Sequence, residues 1–258
     1  MMNIANLLQG KKGLVVGIAN DNSIAYGCAR VLHDLGADLA ITYLNEKAEH
    51  FVSPLAQSLE STIVTQMDVE KPGELAATFK LIEEKWGKLD FVIHSIAFCP
   101  MDDLHGRVVD CSREGFLQAM HVSCFSLVEM AKLAEPLMHE GGSIITMSYY
   151  GADKVVENYN IMGPVKAALQ STVRYLAADL GYKKIRVHAV SPGPLRTRAA
   201  SGIAHFDKLI EEAIARTPEG RLVDIEDVGM TTAFLVSDAA RALTGETIYV
   251  DGGFHNMA

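Results

Sequence analysis

Short apolar runs alternate with longer stretches of helical periodicity along the whole chain. The runs at 13–17, 38–44, 63–67, 91–95, 143–147, 186–190 and 247–251 read as strands. Several are rich in Val and Ile without polar alternation, the pattern of parallel strands covered on both faces. Between them, apolar residues recur at helical spacing, for instance over 24–35, ended by Gly36, and over 72–86, ended by Gly87. Repetition of this kind requires right-handed crossovers and predicts a single α/β domain over residues 1–258. The expected architecture is a doubly wound parallel sheet of about seven strands with helices on both faces. No low-complexity linker and no internal repeat interrupts it.

Composition narrows the setting. A chain of 258 residues buries a substantial core as one unit. No apolar run reaches the ~18–20 residues a membrane span needs. The opening MMNIANLLQGKKGLVV lacks a signal peptide's order of charge, apolar stretch and cleavage site. A cytoplasmic protein is the expectation. Cysteines 28, 99, 111 and 124 form no CxxC, so reduced, mostly buried thiols are expected. The nine histidines are scattered singly and make no metal case, and a net charge of −9 argues against nucleic acid and anionic membrane.

Ligands of such sheets bind beyond the carboxyl ends of the strands. The first strand runs into GIANDNSIAYG, residues 17–27, where only Gly17 and Gly27 remain of a glycine-rich fingerprint. Ser23 opens the next helix as a good N-cap. Free amides at Ser23 and Ile24 there would meet a pyrophosphate. QMDVE places Asp68 and Val69 after the third strand, where a carboxylate would accept the adenine amine. HSIAF places Ser95, Ile96 and Ala97 after the fourth, where small residues let backbone approach a cofactor. Three such ends on adjacent strands favour a Rossmann-type dinucleotide site. The second strand ends TYLNEK, with neither an acidic residue for ribose hydroxyls nor an arginine pair for a ribose phosphate. At Leu44 and Asn45 the only nearby cation is Lys47. The expectation leans to NADH, with NADPH left open.

SYYGADKVVENYNIMGPVK offers two tyrosine–lysine pairs: Tyr150 and Lys154 at i,i+4, and Tyr159 and Lys166 at i,i+7. The first works only on a helix, where residues four apart share a face. Gly and Asp between its members, directly after a strand, predict a loop instead. Downstream, Ile161, Val165, Ala168, Leu169, Thr172, Leu176 and Leu180 trace a helical stripe. Lys166 lies just off that stripe, facing a ligand rather than the deep core. Tyr159, Met162 and Lys166 fall on one side, with the tyrosine just before the helix.

SYYG…NYNIMGPVK, together with GIANDNSIAYG, HSIAF, SPGPLRTRAASGI and VDGGF, resembles the bacterial enoyl-acyl-carrier-protein reductases of the short-chain dehydrogenase superfamily, nearly end to end. Their Tyr-x6-Lys spacing separates them from YxxxK relatives. The resemblance implies that Tyr159 is the catalytic tyrosine, Tyr149 a second active-site tyrosine and Lys166 the ribose-binding lysine. An enoyl reductase delivers hydride to a β-carbon while charge appears on a thioester oxygen further along. A tyrosine farther from the cofactor-anchoring lysine suits that displacement. The resemblance further implies that Pro194, Leu195 and Thr197 line the nicotinamide carboxamide. It also implies an acyl-carrier-protein partner and a homotetramer.

Residues 194–216 suit a substrate flap, and Phe98, Cys99, Met162 and Phe206 an apolar pocket wall. Two features depart from the pattern. Ala97 stands where the family often has glycine, and the flap carries Asp207, Glu211 and Glu212 beside Lys208, a poor match for an acidic carrier. The rival readings are a YxxxK carbonyl reductase using Tyr150 and Lys154, and a non-catalytic nucleotide-binding regulator on the same fold.

Overall fold

The computed structural model describes residues 6–195, 197 and 206–257; for residues 206–209 the backbone alone is described. Seven strands form one parallel sheet: β1 Lys12–Val16, β2 Asp38–Tyr43, β3 Ile63–Gln66, β4 Phe91–His94, β5 Gly142–Met147, β6 Ile185–Pro192 and β7 Thr247–Val250. Their order across the sheet is β3-β2-β1-β4-β5-β6-β7. The expected strands therefore form, with ends shifted by one or two residues. β6 starts one residue earlier and runs two residues further than its apolar run predicted, because it pairs with both β5 and β7.

Alternate side chains of each strand enter two cores. Leu14, Val92, Ile144 and Val187 face one, whereas Val15, Ile93, Ile145 and Val190 face the other. The first core is covered by α3 Glu74–Trp86, α5 Arg113–Met120, α6 Ser126–Ala134 and α7 Met162–Leu180. The second is covered by α1 Ile24–Asp34, α2 Glu46–Ser58 and α9 Ile225–Val236. This double coverage explains why the strands read as continuous apolar runs. The remaining α-helices are a single turn, α4 Met101–Leu104, and α8 Phe206–Arg216, which forms the last part of the expected flap. Between α5 and α6 the backbone widens into a π-helical turn over His121–Phe125. Such turns recur at functional sites.

Chain order reverses between β1 and β4, and it is there that open α/β sheets place their ligand crevice. Gly17 leaves β1 with a φ of 112°. A Cβ on it would lie 2.1 Å from the Ser95 carbonyl oxygen, so only glycine lets the β1 and β4 tips close together.

Candidate active site

The loop that leaves β1 differs from expectation in one respect. Ser23 precedes α1 but does not cap it. Its hydroxyl accepts from the amides of Ala19 and Asn20 at 3.0 and 2.9 Å and donates to the Asn20 carbonyl at 2.8 Å. Its own amide also donates to the Asn20 carbonyl, at 3.2 Å. The Ser23 amide is therefore not a free anion donor. A loop with no glycine after residue 17 closes through this side-chain-mediated turn instead. The first-turn amides of Ile24 and Ala25 have no acceptor among the described residues.

Around this tip the other strand ends converge. Asp68 Oδ1 accepts from the Glu70 amide at 3.0 Å, the Asp68 amide donates to Glu74 Oε2 at 2.7 Å, and Oδ2 has no partner among the described residues. Val69 and Ile96 pack half-buried on the α3 and α7 side. Leu44 is exposed, Asn45 caps α2 through the Ala48 amide, and Lys47 is exposed within an acidic helical turn. Ala97 and Phe98 are exposed and Cys99 is buried. Pro194 and Leu195 are buried beyond β6, and the Thr197 amide donates to the Leu195 carbonyl at 2.8 Å. Part of the expected flap, residues 196 and 198–205 including Gly202, lies outside the described residues, as do the side chains of Phe206, Asp207 and Lys208.

At the β5 exit the two pairs of the SYYG…VK segment part company. The Tyr149 and Tyr159 rings meet edge to face, with centroids 4.9 Å apart. Tyr159 sits just before α7, as expected, and is only 9% exposed. Its ring lies on Gly151, where a Cβ would come within 2.6 Å of Tyr159 Cδ1. Tyr150 turns away onto Phe254, centroids 5.4 Å apart, and Lys154 is exposed. The loop expected between them is in part helical, a correction: Tyr150–Ala152 forms one 3₁₀ turn, and the Lys154 amide donates to the Tyr150 carbonyl at 3.2 Å. Gly151 costs little in a single turn that the Tyr159 ring covers.

Lys166 is also placed differently from expectation. It is 5% exposed, inside α7's buried face, and its Nζ donates to the Met147 carbonyl at 2.7 Å. The long stem packs like an apolar residue while the head reaches the β5 tip. One turn later on the same face, Gln170 Nε2 donates to Ser148 Oγ at 3.0 Å. Two side chains four apart thus bind α7 to the strand end that launches Tyr149.

Burial sets the electrostatics. It pushes the Tyr159 phenol well above its ordinary range, reinforced by Tyr149 and Cys99, and pushes Tyr149 up to about 12. It lowers Lys166 to about 8, and no carboxylate pairs with that lysine among the described residues. The Cys99 thiol rises to about 11, by burial and then by the Asp103 carboxylate. His94 falls to about 3, by burial first and then by the Lys166 cation. It is a neutral imidazole. Ser126 donates to the Val122 carbonyl, so His94 Nε2 donates to Ser126 and Nδ1 accepts from Thr146, both at 2.8 Å.

A model of the family described as enoyl-(acyl carrier protein) reductase matches residues 17–255. The chain belongs to the enoyl-(acyl carrier protein) reductase family. A curated enoyl-acyl-carrier-protein reductase (NADH) of Bacillus cereus is 48% identical over 251 residues, spanning 96% of this chain and 98% of its own. Among solved structures, the Anaplasma phagocytophilum enoyl-acyl-carrier-protein reductase in complex with NAD superposes with a TM-score of 0.95. It is 46% identical and covers 100% of this chain and 98% of that one. The Bacillus cereus reductase with NADP+ and indole naphthyridinone gives 0.96 at 47% identity, over 98% and 99%.

The reductase site also holds residues that sequence reasoning passed over. Ser123, buried in the π-helical turn, accepts from the Phe98 amide at 2.9 Å and donates to the Phe98 carbonyl at 3.2 Å, pinning the 95–99 loop. His94 and Gln170 act through contacts far apart in sequence, and Gly151 through the Tyr159 ring eight residues on. For His94 the one signal was a polar residue closing an otherwise apolar strand.

Proposed function

We propose that this chain reduces the carbon–carbon double bond of a trans-2-enoyl thioester carried on acyl carrier protein, the last reductive step of fatty-acid elongation. The observation that carries the reading is the edge-to-face pair Tyr149 and Tyr159 over a β5 exit held by buried Lys166, in a chain of this family. NADH supplies the hydride. Its choice over NADPH is supported by the B. cereus relative's NADH dependence and by a β2 tip whose one cation, Lys47, stands exposed beside Glu46.

The residues present suit a dinucleotide. Lys166 is a buried ammonium whose one hydrogen-bond partner among the described residues is a neutral carbonyl, matched to ribose hydroxyls. The first-turn amides of α1 suit a pyrophosphate, and Asp68 keeps one carboxylate oxygen for an adenine amine. The Ser191 hydroxyl, buried at the β6 end, has no partner among the described residues. Gly17, Ser23, Ile24, Leu44, Val69, Ser95, Ile96, Ala97, Pro194, Leu195 and Thr197 complete the proposed cofactor contacts.

Hydride addition at the β-carbon drives negative charge onto the thioester oxygen. The Tyr159 hydroxyl, which burial keeps protonated, donates to that oxygen. Tyr149 braces the Tyr159 ring and lines the pocket, with Phe98, Cys99, Met162 and Phe206 as apolar wall. Lys166 orients the ribose and adds a positive field. A homotetramer in the cytoplasm is the proposed working form. The test follows NADH and NADPH oxidation with crotonyl-CoA, a longer enoyl thioester and a ketone. Turnover of the enoyl thioesters with NADH supports the reading; turnover of the ketone alone, or cofactor binding without turnover, overturns it.

A further inference from the structure

Tyr159 is flanked on both sides by asparagines in the left-handed backbone region, Asn158 at φ 60° and Asn160 at φ 41°. Only Glu60 and Lys184 share that conformation among the described non-glycine residues, and neither is near this site. Asparagine tolerates it better than most residues, yet two such positions around one side chain over-determine where that side chain points. The second asparagine is also tied down. Asn160 Nδ2 donates to the carbonyls of Asp103 at 2.7 Å and His105 at 3.4 Å, more than 50 residues away in sequence. Asp103 is itself fixed, because its buried carboxylate accepts from both the amide and the hydroxyl of Ser112, the N-cap of α5.

The amide's other end is unsatisfied: Asn160 Oδ1 is buried with no partner among the described residues. A buried acceptor left bare costs roughly 1–3 kcal/mol. A side chain that bears this cost and a strained backbone, while bridging two segments, is placed for geometry rather than for stability.

We propose that Asn160 is a positioning residue, registering the Tyr159 hydroxyl against the segment that follows the Phe98–Cys99 wall. The inference rests on Tyr159 being the enolate donor. Through Asn160, the donor and one side of the acyl pocket are referenced to the same point, the Asp103 carbonyl, so the hydroxyl keeps its place relative to the bound thioester. Ordinary backbone tolerance would leave it free by an ångström, and an error of that size costs up to about 100-fold in rate.

The test uses the full chain and compares Asn160→Gly, which keeps the left-handed backbone and deletes the tie, with Asn160→Asp, which keeps the shape but cannot donate to two carbonyls. Each is made alone and on Tyr159→Phe, with crotonyl-CoA as substrate, NADH affinity read by fluorescence, and melting temperature measured. The expected result for both is a kcat lower by about 10- to 100-fold with NADH affinity unchanged within about twofold. On Tyr159→Phe neither change should lower kcat further, because the group being positioned is gone. The inference is overturned if Asn160→Gly keeps kcat within about twofold, or if it costs as much on Tyr159→Phe as on the parent. If Tyr159→Phe itself is harmless, the assignment of the tyrosine fails instead, a distinct outcome.

Discussion

At the scale of single residues, burial decides which groups do chemistry. A tyrosine whose phenol is raised far above its ordinary range cannot serve as a base near neutral pH, so the Tyr159 hydroxyl is a donor. Tyr159→Phe should lower kcat by ~10²–10³ with little change in KM, Tyr149→Phe should do less, and Tyr150→Phe should be near neutral. Steady-state kinetics of the three on one enoyl thioester decide this; a dominant effect at Tyr150 would revive the i,i+4 pair. Lys166 carries a second consequence. Unfolded, a lysine holds its proton to 10.5, whereas here it releases it near 8. Between those values the unfolded chain binds more protons, so this residue makes stability rise with pH there, and its charge is a burden below 8. Lys166→Met should therefore leave the cofactor-free protein at least as heat-stable at pH 7 while abolishing NADH binding. In the parent, kcat/KM for NADH should fall as pH passes 8. Melting curves and a pH series measure both, and a large loss of stability in Lys166→Met would refute the account. Gly151 acts by what it lacks: Gly151→Ala should displace the Tyr159 ring and lower kcat about tenfold, with overpacking of roughly 1–3 kcal/mol visible as a lower melting temperature.

At the scale of elements, the sheet was legible because parallel strands covered on both faces leave an unbroken apolar signature. The central strands β1, β2 and β4 carry it most fully, whereas the outer strands β3 and β7 are only half-covered. The start of α7 was also legible, since Gly163 and Pro164 mark its first turn and leave Tyr159 outside. What stayed hidden depends on pairing between elements. Lys166 looked like a residue off the stripe because sequence periodicity cannot show that the β5 tip offers it a carbonyl. Ser23 looked like a cap because cap preference says nothing of a competing turn through Asn20. The π-helical turn has no composition signal, yet it delivers Ser123 to the 95–99 loop and Ser126 to His94. Ser123→Ala removes both bonds to Phe98, so the loop loses its clamp. The expected outcome is a KM for the enoyl thioester raised several-fold, more than the melting temperature falls in step with other buried serines such as Ser143. Equal effects of Ser123→Ala and Ser143→Ala on KM would reduce Ser123 to a packing residue.

At the scale of the whole molecule, charge and surface point in different directions. A net charge of −9 keeps chains apart at long range, yet large apolar side chains stand in water on the α5, π-turn, α6 and α7 side: Leu117 52%, Phe125 52% and Tyr175 73% exposed. A monomer rarely exposes several apolar groups of this size on one side. At one end of the sheet, β7 is a four-residue edge strand whose residues are all half-buried and whose outer edge pairs with no strand among the described residues. Two separate faces of this kind suit an assembly with two kinds of interface, which two-fold symmetry closes at four copies. Sedimentation of the purified chain should therefore give a species near four times 28.0 kDa. Phe125→Glu places a charge at the centre of the helical face and should yield a dimer still held through the β7 side. Because Phe125 lies in the turn that carries Ser123, the dimer should also bind crotonyl-CoA more weakly while NADH affinity, set at the β1 and β5 tips, changes little. A monomeric parent chain, or a Phe125→Glu variant that remains a tetramer, would show that the exposed helical face is not an interface.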